Sequence, residues 1–297
     1  MNGILKRYLS DDGSVVCTVL DGTAMIAEME RIHQTSAVVT AALGRLSMAA
    51  SMIGYGLKSK EDTVTIRIDG GGPAGVLVAV AKENGTVKSY VDHTVVELPL
   101  NAQGKLDVAA AVGTEGAIYV IKDMGLKEPY VGQIQLVSGE IAEDITQYFA
   151  VSEQIPTACG LGVLVDTDLT VKSAGGYLIQ LLPFADEAVI AKLEQNLSKI
   201  TSITAMLEQG MDAEQIAMQL MDGLSPNLLD EATPAYQCDC SRERTARMLS
   251  ALDDKALREM ADEMPEIEVC CHFCNGKYLF TPDEIRAMCK HQEENPC

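Results

Sequence analysis

Four cysteines near the C-terminus constrain the fold of this chain more than any other feature. Cys238 and Cys240 form a Cys-x-Cys pair, and Cys271 and Cys274 form a Cys-x-x-Cys pair after thirty intervening residues. The two pairs offer four thiolates on two short chelating turns, a donor set that suits a tetrahedral, borderline-soft ion such as zinc. The sequence therefore predicts a site for one zinc ion (Zn²⁺) per chain.

The second pair leaves one choice of ligand open. Cys270 is adjacent to Cys271 and could compete with it as a ligand or as a disulfide partner. We favour Cys271 because it restores the two-residue spacing before Cys274. His272 lies inside that turn, where a histidine ligand would strain the loop, so we do not expect it to bind the metal. The Asn275-Gly276 pair that follows predicts a tight turn whose N–H groups could donate to the sulfurs.

The remaining cysteines form no second motif. Cys17 and Cys159 are predicted to be buried, unligated thiols, and the roles of Cys289 and Cys297 stay open. Nine cysteines is an odd number, and no secretory signal is visible before the first polar residues. Both facts favour a reducing, cytoplasmic location, where clustered cysteines more often bind metal or react than form a disulfide scaffold.

Charge and apolar patterning limit the classes of partner. The net charge of −20 opposes binding to a phosphate backbone or to an anionic membrane surface. We therefore expect neither a nucleic acid nor a membrane as partner. The longest apolar stretch, 36–53, is interrupted by Gly44 and Arg45, which favours a buried helix over a membrane span.

Short apolar alternations with turn signals predict strands in the first two thirds of the chain. The predicted strands are 14–20, 63–68, 76–80, 87–91, 117–121 and 131–137. Asn84-Gly85 predicts a hairpin turn. Helical spacing predicts one long helix that opens at 21–23 and continues through Leu43, and a short helix over 140–149.

Strands in meanders with separate helices are typical of an α+β fold. We predict an N-terminal domain of antiparallel sheets with helices over 1–183 and a helical linker over 184–234. A small C-terminal four-cysteine zinc domain follows over 235–297, with one or two short helices in 242–260.

The segment Asp186–Gly223 combines helical spacing with an apolar face and four methionines. Ordinary packing against the N-terminal core explains such a face in a static structure. Alternatively, the face binds unfolding client proteins once it is released, because methionine side chains adapt to irregular apolar partners. The candidate client-binding residues are Leu193, Leu197, Ile200, Ile203, Met206 and Leu207.

No motif of an enzyme active site is present. Gly70-Gly71-Gly72-Pro73 lacks the spacing and the Lys-Ser/Thr of a nucleotide-binding loop, and it predicts a turn with positive φ instead. The four histidines (His33, His93, His272 and His291) are scattered and fit no nucleophile or H-E-x-x-H pattern. The sequence therefore predicts a protein that is not an enzyme and has no ATP site.

The cysteine pattern resembles that of the heat-shock protein 33 family, redox-regulated chaperones of bacteria. Further stretches carry the resemblance, namely 70–73, 152–157, 161–163 and 174–180, so it covers essentially the whole chain. It implies that the reduced, zinc-bound protein is inactive and that the oxidised, metal-free protein is an ATP-independent holdase, often a homodimer. By motif position, Cys238, Cys240, Cys271 and Cys274 would be both zinc ligands and redox-active thiols.

The spacing of the four cysteines also bears on their oxidation. Coordination keeps sulfur deprotonated and open to oxidants such as peroxide or hypochlorous acid. Within each pair a resolving thiol lies two or three residues away. Each pair can therefore close its own disulfide and lose its affinity for the metal.

Other interpretations of the zinc site remain open. A zinc ribbon would bind nucleic acid, but residues 238–297 contain eight basic and thirteen acidic side chains and so lack a basic stripe. A thiol–disulfide oxidoreductase places its Cys-x-x-Cys at a helix N-terminus, whereas turn and strand residues follow Cys274 here. A purely structural zinc site on a binding protein would be insensitive to oxidants.

Overall fold

The computed structural model describes residues 2–289. The chain divides into two compact units with the boundary between Gln237 and Cys238. Both are mixed: the first unit contains two five-stranded antiparallel sheets with helices, and the second contains a two-stranded sheet with three helices. The predicted α+β class is thereby confirmed, while the three predicted domain ranges stay a prediction.

Sheet A contains strands from both ends of the first unit. From edge to edge it consists of β10 (Asn227–Ala232), β1 (Ile4–Leu9), β2 (Val15–Asp21), β9 (Val171–Leu181) and β8 (Thr157–Val165). Of these five strands, the sequence patterns predicted only β2. In particular, Asn227–Ala232 had been assigned to a helical linker and instead pairs with β1 as an edge strand.

Sheet B corresponds closely to the predicted hairpins. Its order is β5 (Val87–Val91), β4 (Leu77–Lys82), β3 (Thr63–Asp69), β6 (Ala117–Asp123) and β7 (Tyr130–Gln135). The turn between β4 and β5 uses Gly85 at φ 76°, a conformation that side chains with a Cβ disfavour. Gly71 also has positive φ, at 74°, as the triple-glycine turn predicted.

Helix α2 (Ala37–Gly54) forms the centre of the first unit. It contacts strands of both sheets. Within residues 2–289 it is the one helix long and apolar enough to cross a membrane, but 89% of it is buried inside the protein. The predicted buried helix is thus confirmed. Shorter helices accompany it, namely α1 (Thr23–His33), α3 (Val108–Val112), α4 (Ala142–Tyr148) and a π-helical turn (Phe149–Glu153).

The prediction of one long helix from 21–23 through Leu43 was wrong. Helix α1 ends at His33, because Gln34 adopts the left-handed conformation with φ 49° and its N–H bonds back to Glu30 O. Ser36 is extended and begins α2. The apolar spacing continues through this break, so periodicity alone did not reveal it.

Three short helices cover one face of sheet A: α5 (Glu187–Leu197), α6 (Ile203–Glu208) and α7 (Ala213–Leu220). Their apolar side chains share a cluster with side chains of β1, β2 and β9, among them Tyr8, Val15 and Ile179. The predicted helical character of 186–223 is confirmed.

The second unit has a small apolar core. Helices α8 (Arg242–Leu249), α9 (Asp254–Glu263) and α10 (Pro282–Met288) share an apolar cluster with the hairpin of β11 (Ile267–Cys270) and β12 (Lys277–Phe280). Its buried cluster among the described residues consists of Leu249, Leu257, Ala261, Ile267, Phe280 and Ile285. Because the second unit buries so little apolar surface, much of its folding stability must come from another source.

Asn196 joins two of the helices that cover sheet A. Its side chain is 2% exposed, and its Nδ2 donates to Leu220 O at 3.1 Å and to Asp222 O at 2.9 Å. Asn196→Ala leaves both carbonyls without this donor. We expect the local opening of 187–222 to become easier by about 1–3 kcal/mol, measured by hydrogen exchange.

Asn227→Ala is the matched control, since Asn227 is exposed and its side chain donates to Ser225 O at 3.3 Å. Its exchange over 187–222 should equal that of the parent protein. If exchange over 187–222 in Asn196→Ala equals that of the parent protein, Asn196 does not stabilise the contact between these helices.

Candidate metal centre

The four predicted cysteines come together in the second unit. Cys238 and Cys240 lie in the segment before α8, and Cys271 and Cys274 lie in the turn between β11 and β12. All four sulfurs lie within 4.8 Å of one another. Cys238 Sγ is 3.7 Å from Cys271 Sγ, and Cys240 Sγ is 3.2 Å from Cys274 Sγ. Sulfurs bound tetrahedrally at 2.3 Å are about 3.8 Å apart, so this group is close enough to hold one metal ion.

The turn that carries the second pair depends on Asn275 and Gly276. Asn275 has φ 57° and donates its N–H to Cys271 O at 2.8 Å, while Cys271 N–H donates to Gly276 O at 2.9 Å. A Cβ on Gly276 would lie 3.2 Å from Cys274 Sγ, closer than a side chain comfortably approaches. Gly276 N–H donates to the Cys274 sulfur. The predicted tight turn under the sulfurs is confirmed.

Tyr278 is a site residue that the sequence analysis missed. It pairs with Val269 in the β11–β12 hairpin, and its hydroxyl donates to Cys240 Sγ at 3.0 Å. Burial acts to raise the pKa of Cys240, but hydrogen bonds from Tyr278 and from the neighbouring thiols outweigh it and lower that pKa to about 7. A tyrosine four residues after a chelating pair was the available indication.

Two other thiols of the group hold their protons more strongly. Burial raises the pKa of Cys274 to about 11, with a contribution from its hydrogen bond to Cys240, and burial also raises the pKa of Cys238. Because a metal binds the thiolate forms, its binding releases these protons. Metal affinity therefore weakens as the pH falls.

Charged side chains brace the Cys-x-Cys segment. Arg244 donates to the carboxylate of Asp239 at 2.7 Å, and Ser241 caps α8 immediately after Cys240. Arg242 bonds to Glu284 at 2.8 Å, and its guanidinium lies 4.5 Å from the centre of the Phe280 ring. These contacts connect the first pair to β12 and α10, which follow the second pair in sequence.

The other cysteines among the described residues do not belong to this group. Cys17 is buried, Cys159 is partly buried, and burial raises the pKa of each thiol to about 12, so neither forms a reactive thiolate at neutral pH. Cys270 is exposed at the end of β11, and Cys289 packs against the small core of the second unit. Cys297 and His291 lie outside the described residues.

The structure also locates Cys270 and His272, the two other candidate ligands near the second pair. Cys271, and not Cys270, belongs to the group that could hold a metal, and His272 does not belong to it. This arrangement agrees with the spacing argument for Cys271.

The candidate client-binding residues lie in the first unit. Leu193, Ile203 and Met206 are buried in the cluster between the helices and sheet A, and Leu197, Ile200 and Leu207 are partly buried against it. In this state the face is packed.

Comparison with known proteins agrees with this architecture. The family model described as "Hsp33 protein" matches residues 4–281. The "33 kDa chaperonin" of Clostridium perfringens is 44% identical over 296 residues, which are 99% of this chain and 94% of the relative. The protein of the same name from Clostridioides difficile is 46% identical over 290 residues, 98% of this chain and 99% of the relative.

A solved structure gives the same result for the fold. The crystal structure of the 33 kDa chaperonin (heat shock protein 33 homolog) from Thermotoga maritima superposes with a TM-score of 0.88 at 37% identity and covers 97% of both chains. The match extends over nearly the whole chain, well beyond the cysteine pairs. The chain therefore belongs to the heat-shock protein 33 family of chaperones.

Proposed function

We propose that this protein is a redox-regulated, ATP-independent holdase, which binds unfolding proteins after its cysteines are oxidised. The observation that carries the proposal is the group of four sulfurs within 4.8 Å of one another, in a unit with a small apolar core. A site of this kind can hold the unit folded in one redox state and release it in the other. We place the protein in the cytoplasm, with neither nucleic acid nor membrane as partner.

The resident metal is proposed to be Zn²⁺, one per chain, held by Cys238, Cys240, Cys271 and Cys274. Four sulfurs within 4.8 Å of one another offer its preferred donor set. When bound, the ion stabilises the four thiolates and supplies on the order of 10–16 kcal/mol toward folding of a small unit. That amount is comparable with the whole stability of an ordinary domain.

Oxidation converts the donors into disulfides. The Cys240 thiolate attacks one oxygen of hydrogen peroxide, the O–O bond breaks, and the products are a sulfenic acid and hydroxide. The Cys238 thiol then attacks that sulfur, the S–S bond forms, and the hydroxyl group leaves with the thiol proton as water. Cys271 and Cys274 repeat the reaction with a second peroxide, so that no thiolate donor remains.

Loss of the donor set is proposed to free the preceding helices. Unfolding of the second unit removes the ordered end of the chain that follows α5–α7, and these helices cover sheet A through a limited set of apolar contacts. Once released, Leu193, Leu197, Ile200, Ile203, Met206 and Leu207 present an apolar face to client segments. Two such faces in an oxidised homodimer would bind one client at two points.

Two alternatives make different predictions. A structural zinc ribbon would keep the same fold and binding activity after mild oxidation. A thiol–disulfide oxidoreductase needs its Cys-x-x-Cys at a helix N-terminus, whereas Cys271 and Cys274 lie in a hairpin turn between β11 and β12. Turnover in an insulin-reduction assay would favour the oxidoreductase.

Zinc content tests the ligand set. Serine at Cys238, Cys240, Cys271 or Cys274 should remove most of the metal from the reduced protein, because three sulfurs cannot close the site. Tyr278→Phe keeps all four sulfurs and should weaken zinc binding by a smaller factor, about 10–100-fold. Competition with a chromogenic chelator measures both effects.

Cys270→Ser and Cys17→Ser are the controls for that measurement, and both should retain zinc. Retention of zinc by Cys271→Ser together with its loss from Cys270→Ser would show that the neighbouring cysteine is the ligand.

Peptide mapping under non-reducing conditions tests the disulfide pairing. We expect Cys238–Cys240 and Cys271–Cys274 bridges after peroxide treatment. In the folded group the pairs Cys238–Cys271 and Cys240–Cys274 are close, but short sequence separation keeps each Cys-x-Cys or Cys-x-x-Cys pair together once the unit loosens. Cys270→Ser should give the same map. A dominant bridge between the two pairs, or one to Cys270 or Cys289, would contradict this pairing.

Light scattering of an aggregating client tests the switch itself. Oxidised protein should suppress aggregation without ATP, reduced zinc-loaded protein should not, and reduction with added zinc should abolish the activity again. Hydrogen exchange should rise over 186–223 and 238–274 on oxidation and stay low in sheet B. Equal activity in both redox states, or activity with 186–223 still protected, would refute the coupling.

A further inference from the structure

The segment 227–237, which lies between helices α5–α7 and Cys238, is hydrogen-bonded to other parts of the first unit. Strand β10 pairs with β1 of sheet A. Beyond it, Gly3 N–H donates to Pro234 O at 2.8 Å, Val87 N–H to Ala235 O at 3.0 Å, and Gln237 N–H to Val87 O at 2.9 Å. The chain is thus held continuously from 227 to 237, and Cys238 is the next residue.

Tyr236 is the side chain that inserts from this segment. It is 6% exposed, although Gln237 beside it is exposed. Its hydroxyl donates to Ser89 O at 2.7 Å and accepts from Ser89 N–H at 3.1 Å. His33 Nε2 lies 2.8 Å from the same oxygen.

These contacts provide hydrogen-bond partners for backbone groups at the outer edge of sheet B. Strand β5 is the outermost strand on its side of the sheet, so its outward N–H and C=O groups need partners from elsewhere. The backbone of 235–237 supplies them at Val87, and the Tyr236 hydroxyl supplies them at Ser89, which is fully buried. Water cannot replace the hydroxyl there without opening the segment.

Tyr236 lies in the chain segment that connects the cysteine pairs to helices α5–α7. Under the proposed function, on which this inference rests, unfolding begins at the cysteine pairs and must reach α5–α7. The chain between them passes through 227–237, so the Tyr236 hydroxyl must leave Ser89 before the disturbance can travel further. We propose that Tyr236 is a latch, a positioning residue that sets how fast unfolding spreads from the cysteines into the client-binding helices.

Tyr236→Phe tests the latch, because it keeps the ring and removes only the hydroxyl. In the reduced, zinc-loaded chain, hydrogen exchange over 227–237 should rise about tenfold, the effect of one lost buried hydrogen-bonding group, with zinc content unchanged. After peroxide addition, the half-time for holdase activation should shorten several-fold while the final activity stays the same.

Tyr148→Phe is the matched control. Tyr148 is also fully buried in the first unit and donates its hydroxyl to Glu153 at 2.5 Å, but it lies outside 227–237. It should leave exchange over 227–237 and the activation half-time unchanged. If the two variants raise exchange in 227–237 equally, the effect is general destabilisation and the latch is wrong.

Two further outcomes decide the proposal. Unchanged exchange in Tyr236→Phe overturns the latch, and faster exchange with an unchanged activation half-time overturns its control of the switch. If the oxidised parent protein shows no holdase activity, the proposed function fails. The exchange comparison still decides whether Tyr236 fastens the segment.

Discussion

Four sulfurs held within 4.8 Å of one another cannot all carry a negative charge unless a cation lies among them. Without the cation, protons must take its place, and burial raises the pKa of Cys238 and Cys274 accordingly. The sulfurs of the second unit can therefore be metal-bound thiolates, protonated thiols or disulfides. When they are protonated thiols, little apolar core is left to hold the chain. Because its core is small, the proposed function has the state of the sulfurs decide whether the unit is folded.

The first unit depends on a different balance. Helix α2 is buried between the sheets and gives this unit a large apolar core. The covering helices α5–α7 bury fewer side chains and rely on local fastenings such as Asn196. Regions with few buried contacts open first, so under the proposed function α5–α7 form a cover that can be released from a scaffold that stays folded.

Sequence patterns predicted the parts of this structure that depend on neighbouring residues. The cysteine spacing gave the four-sulfur group, Asn275-Gly276 gave its turn, and alternation gave the strands of sheet B. The break at Gln34, the edge strand β10 and the hydroxyls of Tyr278 and Tyr236 were not predicted. Each of these features either interrupts a pattern or depends on a partner distant in sequence, and local periodicity carries no information about either.

The hydrogen bond from Tyr278 to Cys240 makes the four chemically similar sulfurs unequal. With a pKa of about 7, Cys240 is about half ionised at neutral pH, whereas Cys274, at about 11, is almost fully protonated. As long as the hairpin keeps the Tyr278 hydroxyl against Cys240, a chain without its metal would have a better nucleophile at Cys240 than at Cys274. Between these two sulfurs, attack on an oxidant would then begin at Cys240, which gives a symmetric-looking cluster an order of reaction.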